Sequence, residues 1–229
     1  NLIALNEIEP ARAQLSQLFG FWLDDGLKLL NLSRLQLRIK DYSGAEKSLS
    51  VALDLMPSNV TAFIELIKLK IKQQKFKEAG NLIQAAEKAG FKNNAYIFIL
   101  KGDLARLREN LENAYSLYKM ALNKDEDNVI ALIKLAKISH DEKLSKQFIP
   151  FLTELVNQKP DSVLKRKVLA EHLLTHEYWD ESQFQYQLLL TYPLPTDQKA
   201  IALNNLATIY IEKQDYKLAA IQAKQAIAI

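Results

Sequence analysis

The chain has three histidines, His140, His172 and His176, and the last two stand four residues apart in the stretch HLLTH. On a helix that spacing puts two imidazoles on one face, as in many zinc sites. A zinc peptidase would need a glutamate directly after the first histidine and a third ligand, whereas Leu173 follows His172 here. His172 falls where a helix faces its neighbour and His176 falls at a turn. Both read as structural or surface residues, and no metal ligand is assigned. The acidic run KDEDN, Lys124 to Asn128, shares only its charge with a calcium loop, because the spaced ligands, central glycine and closing glutamate are missing. It reads as a solvated loop. The glycines at 20, 26, 44, 80, 90 and 102 are isolated, so no loop can cradle phosphate through backbone amides. Absence of cysteine excludes disulfides, thiol nucleophiles and thiolate zinc sites. These residue types point away from an enzyme, and no cofactor is expected.

Any surface for binding must therefore be built by the elements themselves. The 229 residues are enough to bury a sizeable core, and only six glycines and six prolines argue against a loop-rich or β-sandwich fold. Leu, Ala, Lys, Gln and Glu, all good helix formers, are abundant, which predicts an all-α fold. Thirty basic against 27 acidic residues leave a net charge of +3, too even for the one-sided basic patch that nucleic acid requires. No apolar run reaches the roughly 18 residues of a membrane span, so direct membrane insertion is not expected. The opening NLIALNEIEP lacks the basic and long apolar regions of a secretory signal and has no initiating Met, which reads as a fragment or processed product.

Sliding the sequence against itself exposes a period of about 34 residues. KDYSGAEKSLSVALDLMPSN meets QKFKEAGNLIQAAEKAGFKN, with Tyr42 on Phe76, Ala45 on Ala79, Ala52 on Ala86 and Asn59 on Asn93. A further step places Leu111, Ala114, Ala121 and Asn128 in these slots; later copies end in NQKPDS, run through HEYWDESQFQYQLLLTYP, and close with Tyr216, Ala219 and Ala226. The units are 26–59, 60–94, 95–128, 129–162, 163–199 and 200–229, preceded by a helical segment over 1–25 that reads as the end of an earlier repeat. Within each, two stretches of 3.6-residue apolar periodicity flank a polar turn, as Phe63, Leu66, Ile67 and Ile71 do before QQKFKE, with Ala79, Leu82, Ile83 and Ala86 after it. Two such helices cannot bury both faces alone, so neighbouring units must stack.

A small residue after leucine in the first helix (Ser33, Gly102, Ala136, Ala170, Ala207), an aromatic at the turn (Tyr42, Phe76, Trp179, Tyr216) and paired alanines in the second helix resemble the tetratricopeptide repeat family over about nine-tenths of the chain. The resemblance implies a right-handed α-solenoid of stacked antiparallel helix pairs. Ile67 departs from the small slot, Phe148 and Leu155 from both alanine slots of the fourth unit, and Leu189 from one of the fifth, which predicts altered curvature over 129–196. In this family the fifth, ninth and thirteenth residues of a unit point into the concave groove. The resemblance thereby implies an apolar floor of Leu30, Ile64, Ile99 and Ile133 and a basic wall of Arg34, Lys68, Lys137, Arg38 and Lys72, suited to a peptide with apolar anchors and acidic flanks. The family's clamp for a C-terminal carboxylate wants Lys and Asn at the fifth and ninth slots. Leu30 with Arg34, or Lys167 with Glu171, does not match it.

The last unit, with its Asn204-Asn205-Leu206-Ala207 entry, looks like repeats of bacterial lipoproteins that accompany exosortase (PEP-CTERM) sorting and exopolysaccharide export. That resemblance implies a periplasmic, membrane-anchored scaffold; without it a cytoplasmic location is equally open. Three functional readings remain: a non-catalytic scaffold binding a protein or peptide, the non-catalytic repeat region of a larger enzyme such as a glycosyltransferase, and a module that self-associates through exposed terminal helices.

Overall fold

A computed structural model describes residues 8–229. Among them are thirteen α-helices: α1 (Ile8–Phe21), α2 (Gly26–Arg38), α3 (Tyr42–Leu55), α4 (Val60–Lys72), α5 (Phe76–Ala86), α6 (Ala95–Leu107), α7 (Leu111–Lys124), α8 (Val129–Ile138), α9 (Glu142–Gln158), α10 (Val163–Thr175), α11 (Trp179–Leu189), α12 (Thr196–Glu212) and α13 (Tyr216–Ile227). The chain divides into two compact units, one ending at Ala131 and one beginning at Leu132. Ile8, Glu9 and Pro10 lie in α1, continuous with Ala11–Phe21. The start of that segment lies outside the described residues.

Polar caps set the helix starts. Asp25, Asp41, Asn59, Asn110, Asp141, Ser162 and Asp215 each accept a backbone N–H from the first turn that follows, satisfying donors a helix leaves unpaired. The cap of α6 is Asn94, not the aligned Asn93. One π turn at Glu87–Phe91, with Gly90 at φ 102°, absorbs an extra residue and moves the cap on by one. Between paired helices the chain reverses through a left-handed residue: Lys40, Gln74, Glu109, Glu177 and Gln214 all have φ of 60–63°. The α8–α9 turn contains no such residue.

Where paired helices cross, the fourth residue of the second helix is small and buried in every pair: Ala45, Ala79, Ala114, Ser145, Ser182 and Ala219. Ser145 here corrects the assignment of Phe148 to that slot. α8 has 10 residues where α2, α4, α6 and α10 have 13, and α9 has 17 where α3 and α7 have 14. The fourth turn therefore comes three residues early while the period is kept. The bulky side chains of the second unit occupy only the eleventh position, as Leu152 and Leu189, where Ala52, Ala86 and Ala121 stand in the first.

Each core links a pair to the first helix of the next. Leu30, Ala45 and Leu49 pack with Ala62, Leu66 and Leu69 of α4, and Ile64, Ile67, Ala79 and Ile83 with Ile97, Leu100 and Leu104 of α6. In the second unit Ala170, Tyr186 and Leu189 pack with Ala202, Leu206 and Ile209. α1 rests Leu15, Leu18 and Phe19 on Leu29 and Leu32 of α2. Gly102 lets α7 approach α6: a Cβ there would lie 2.5 Å from the ring of Tyr118, whose hydroxyl donates to Asp103 at 2.7 Å. The hydroxyl of nearby Tyr115 is buried with no partner. Opposite outcomes follow for two identical truncations. Tyr118→Phe should lower stability by about 1 kcal/mol, and Tyr115→Phe should leave it unchanged or raise it, since only the first loses a bond. Urea denaturation of both variants checks the pair.

Candidate functional site

The first helices carry the residues expected to face a ligand. In the first unit Leu30, Ile64 and Ile99 are only 5, 9 and 3 % exposed. These three residues of the apolar floor are covered there. Leu30 and Ile64 lie in the layer where the next first helix stacks, so the same residues that would anchor a ligand hold α4 and α6 in place. Ile133, in the second unit, is 52 % exposed, beside exposed Lys137.

The basic positions remain at the surface. Arg34, Arg38, Lys68 and Lys72 are all exposed, one helical turn apart on α2 and on α4. Arg34 donates to Asn31 at 3.0 Å, Lys68 pairs with Glu65 at 3.3 Å, and the Lys72 ammonium sits 4.9 Å from the centre of the Tyr42 ring. Four cations against one carboxylate leave this face positive. Asp103, at the equivalent position of α6, is engaged by Tyr118 instead. In the second unit Lys167 and Glu171 lie 3.8 Å apart. Deeper in the first unit, buried Lys70 of α4 bonds Glu46 of α3 at 2.7 Å and Glu78 of α5, which ties three helices together behind the basic face.

The histidines form a cluster that the sequence did not reveal. His140 lies in the early turn after α8, His172 in the last turn of α10, and His176 at its C-cap. Ring centres of His172 and His176 are 4.6 Å apart, and those of His140 and His172 are 5.5 Å apart. His172 is buried, meets the Phe148 ring edge-on at 4.8 Å, and shares a 3.1 Å hydrogen bond between Nε2 and the Ser145 hydroxyl. Burial, and then the two neighbouring imidazoles, push its pKa down to about 4, so it is neutral at physiological pH. The signal that could have found this cluster is the three-residue deficit of α8, which brings its turn to residue 140. Constant phasing hides that deficit. KDEDN forms a turn in which Asn128 accepts from the Ala131 N–H and donates to Asp125.

No family model matches the chain. The protein O-mannosyl-transferase Tmtc3 of Drosophila melanogaster is 27% identical over 122 residues, which make up 53% of this chain and 13% of that protein. The chain thus spans a small part of that relative's length. Among solved structures, YrrB, described as a TPR protein with an unusual peptide-binding site, superposes with a TM-score of 0.56 at 17% identity, covering 80% of this chain and 93% of its own. A tetratricopeptide repeat protein from Parabacteroides merdae gives a TM-score of 0.57 at 16% identity, covering 99% and 88%. Among the described residues no helix is long and apolar enough to cross a membrane. Six turn-linked helix pairs that cross on small residues, together with this likeness, give the chain the tetratricopeptide-repeat fold, an all-α helical repeat.

Proposed function

We propose that the chain is a non-catalytic interaction scaffold that binds an acidic peptide or protein segment along the first helices of its first unit. The observation that carries this reading is the row of exposed cations Arg34, Arg38, Lys68 and Lys72 on two consecutive first helices. Such a row attracts an acidic segment by charge, and its strength falls with salt. The likeness to YrrB, described as having a peptide-binding site, supports the same reading. Charge placed at Ile64 or Ile99 would unfold the repeat rather than test binding, because both are buried. Lys68→Glu with Lys72→Glu is the informative change. Against a fluorescent library of acidic peptides carrying apolar anchors, it should weaken binding at least tenfold with helicity unchanged. Equal binding by the variant and the unaltered chain would discard this surface.

A second reading is favoured by the partial match to Tmtc3: the chain serves as the repeat region of a larger glycosyl-transferring enzyme and presents a substrate protein to it. Fusion partners found on either side in the full-length gene product discriminate the two. A role in envelope sorting or exopolysaccharide export rests on the resemblance of the last repeat alone, and fractionation of the source cells tests it. Self-association through α13 is supported by exposed Tyr216, Ile221 and Ile227. A mass by light scattering that stays monomeric across concentration removes that reading.

A further inference from the structure

His140, His172 and His176 come from two separate segments of the second unit, yet one ring nitrogen from each lies within 4.8 Å of the others. Ordinary packing accounts for part of this. His172 meets Phe148 and Ser145, which fixes its ring. His176 has no such account: its Nε2 is buried without a hydrogen-bond partner. An orphaned polar atom of this kind costs on the order of 1–3 kcal/mol. Three imidazoles crowded together offer each other little relief, since rings tilted against one another do not replace a donor at that nitrogen. A coordinated cation would.

We propose that His140, His172 and His176 form a three-histidine site for a divalent transition-metal ion of the zinc type. The donor set selects the ion. Imidazole nitrogens favour Zn²⁺, Ni²⁺ or Cu²⁺ over Ca²⁺ and Mg²⁺, which want oxygen ligands. Of the carboxylates around it, Glu142 is paired with Lys146 at 2.8 Å and Glu171 lies 3.8 Å from Lys167. Zn–N bonds of about 2.0–2.1 Å in tetrahedral geometry set ligand nitrogens roughly 3.4 Å apart, so the rings must draw together by up to about 1.4 Å. His140 can supply that movement, because it is exposed and stands in a turn rather than a helix. His172 stays in place, held at Nε2 by the Ser145 hydroxyl. Three ligands leave a fourth position. His140 and His172 border a cavity also lined by Ile133, Lys137 and Thr175, from which water could reach that position.

The test uses the full chain without a histidine tag, stripped with chelator, and Zn²⁺ itself as the probe. Titration against a chromophoric chelator should show one ion per chain, and saturation should raise the thermal midpoint. Co²⁺ should give visible d–d bands of a low-coordinate nitrogen site. His140→Ala and His176→Gln should each weaken Zn²⁺ binding at least tenfold and abolish those bands. The metal-free midpoint of His140→Ala should match the unaltered chain, which shows that the loss is not unfolding. Binding that is absent, or that is equally tight in both variants, overturns the site; so does binding at millimolar Zn²⁺ only.

Discussion

Phe148→Ala should destabilise the second unit by about 3–5 kcal/mol, although aligning the repeats at constant phase would call it a restoration of the family alanine. Phe148 is fully buried and packs edge-on against His172. Truncating it vacates an aromatic's volume in a helix contact already shaped around it, and helices close such a cavity only in part. The small residue that the crossing needs is already present one turn earlier, at Ser145. The gain in helix propensity from Phe to Ala is a few tenths of a kcal/mol, far below the packing loss. Urea denaturation gives the difference directly. A variant as stable as the unaltered chain, or more so, would show that the slot at 148 is the alanine slot after all and that α9 tolerates repacking.

That example marks how far the sequence could be read. The helical class and the paired helices were legible because apolar periodicity and the Ala-rich crossings are local signals, repeated often enough to reinforce one another. Asn59 and Asn128 could be aligned for the same reason, and both cap a helix start. What escaped was where the phase shifts inside a unit. The residue added by the π turn near Gly90 shows only as the 35-residue length of the unit 60–94, which does not place it before Asn94. The short α8 is offset by the long α9, so that shift leaves no mark in a scan at constant spacing. The floor of the groove escaped for a different reason. Periodicity says that Leu30, Ile64 and Ile99 lie on an apolar face, but whether that face meets water or the next helix depends on how tightly consecutive pairs stack. The histidine cluster combines both failures, since His140 reaches its neighbours only because the turn comes early.

Replacing Lys70 by methionine should cost about 2–4 kcal/mol at neutral pH, and the cost should shrink on acidification. Lys70 is 8 % exposed at its side chain and bonds both Glu46 and Glu78. Removing one partner of a buried pair typically costs about 3–5 kcal/mol because the other charge is left stranded; here both carboxylates reach water, which softens the penalty. Methionine keeps most of the volume, so the loss reports charge rather than packing. The hydrogen bond from Lys70 holds Glu46 below the usual carboxylate range. That contribution is complete above the unfolded value, near 4.3, and is lost as pH falls through the lower folded value. Burial by itself would lower the Lys70 pKa, but its bonds to Glu46 and Glu78 outweigh that and raise it. Its share therefore holds below about pH 10.4 and fails as pH rises through the folded value. Between these limits the difference between variant and unaltered chain should be flat. Toward pH 3.5 it should narrow, because the unaltered chain loses the Lys70–Glu46 ion pair while protonation relieves Glu46 in the variant, where only Lys75 at 3.6 Å still offsets its charge. Urea titrations at pH 7 and 3.5 give the comparison, and an equal difference at both would mean that Lys70 acts through packing of its stem rather than through its charge.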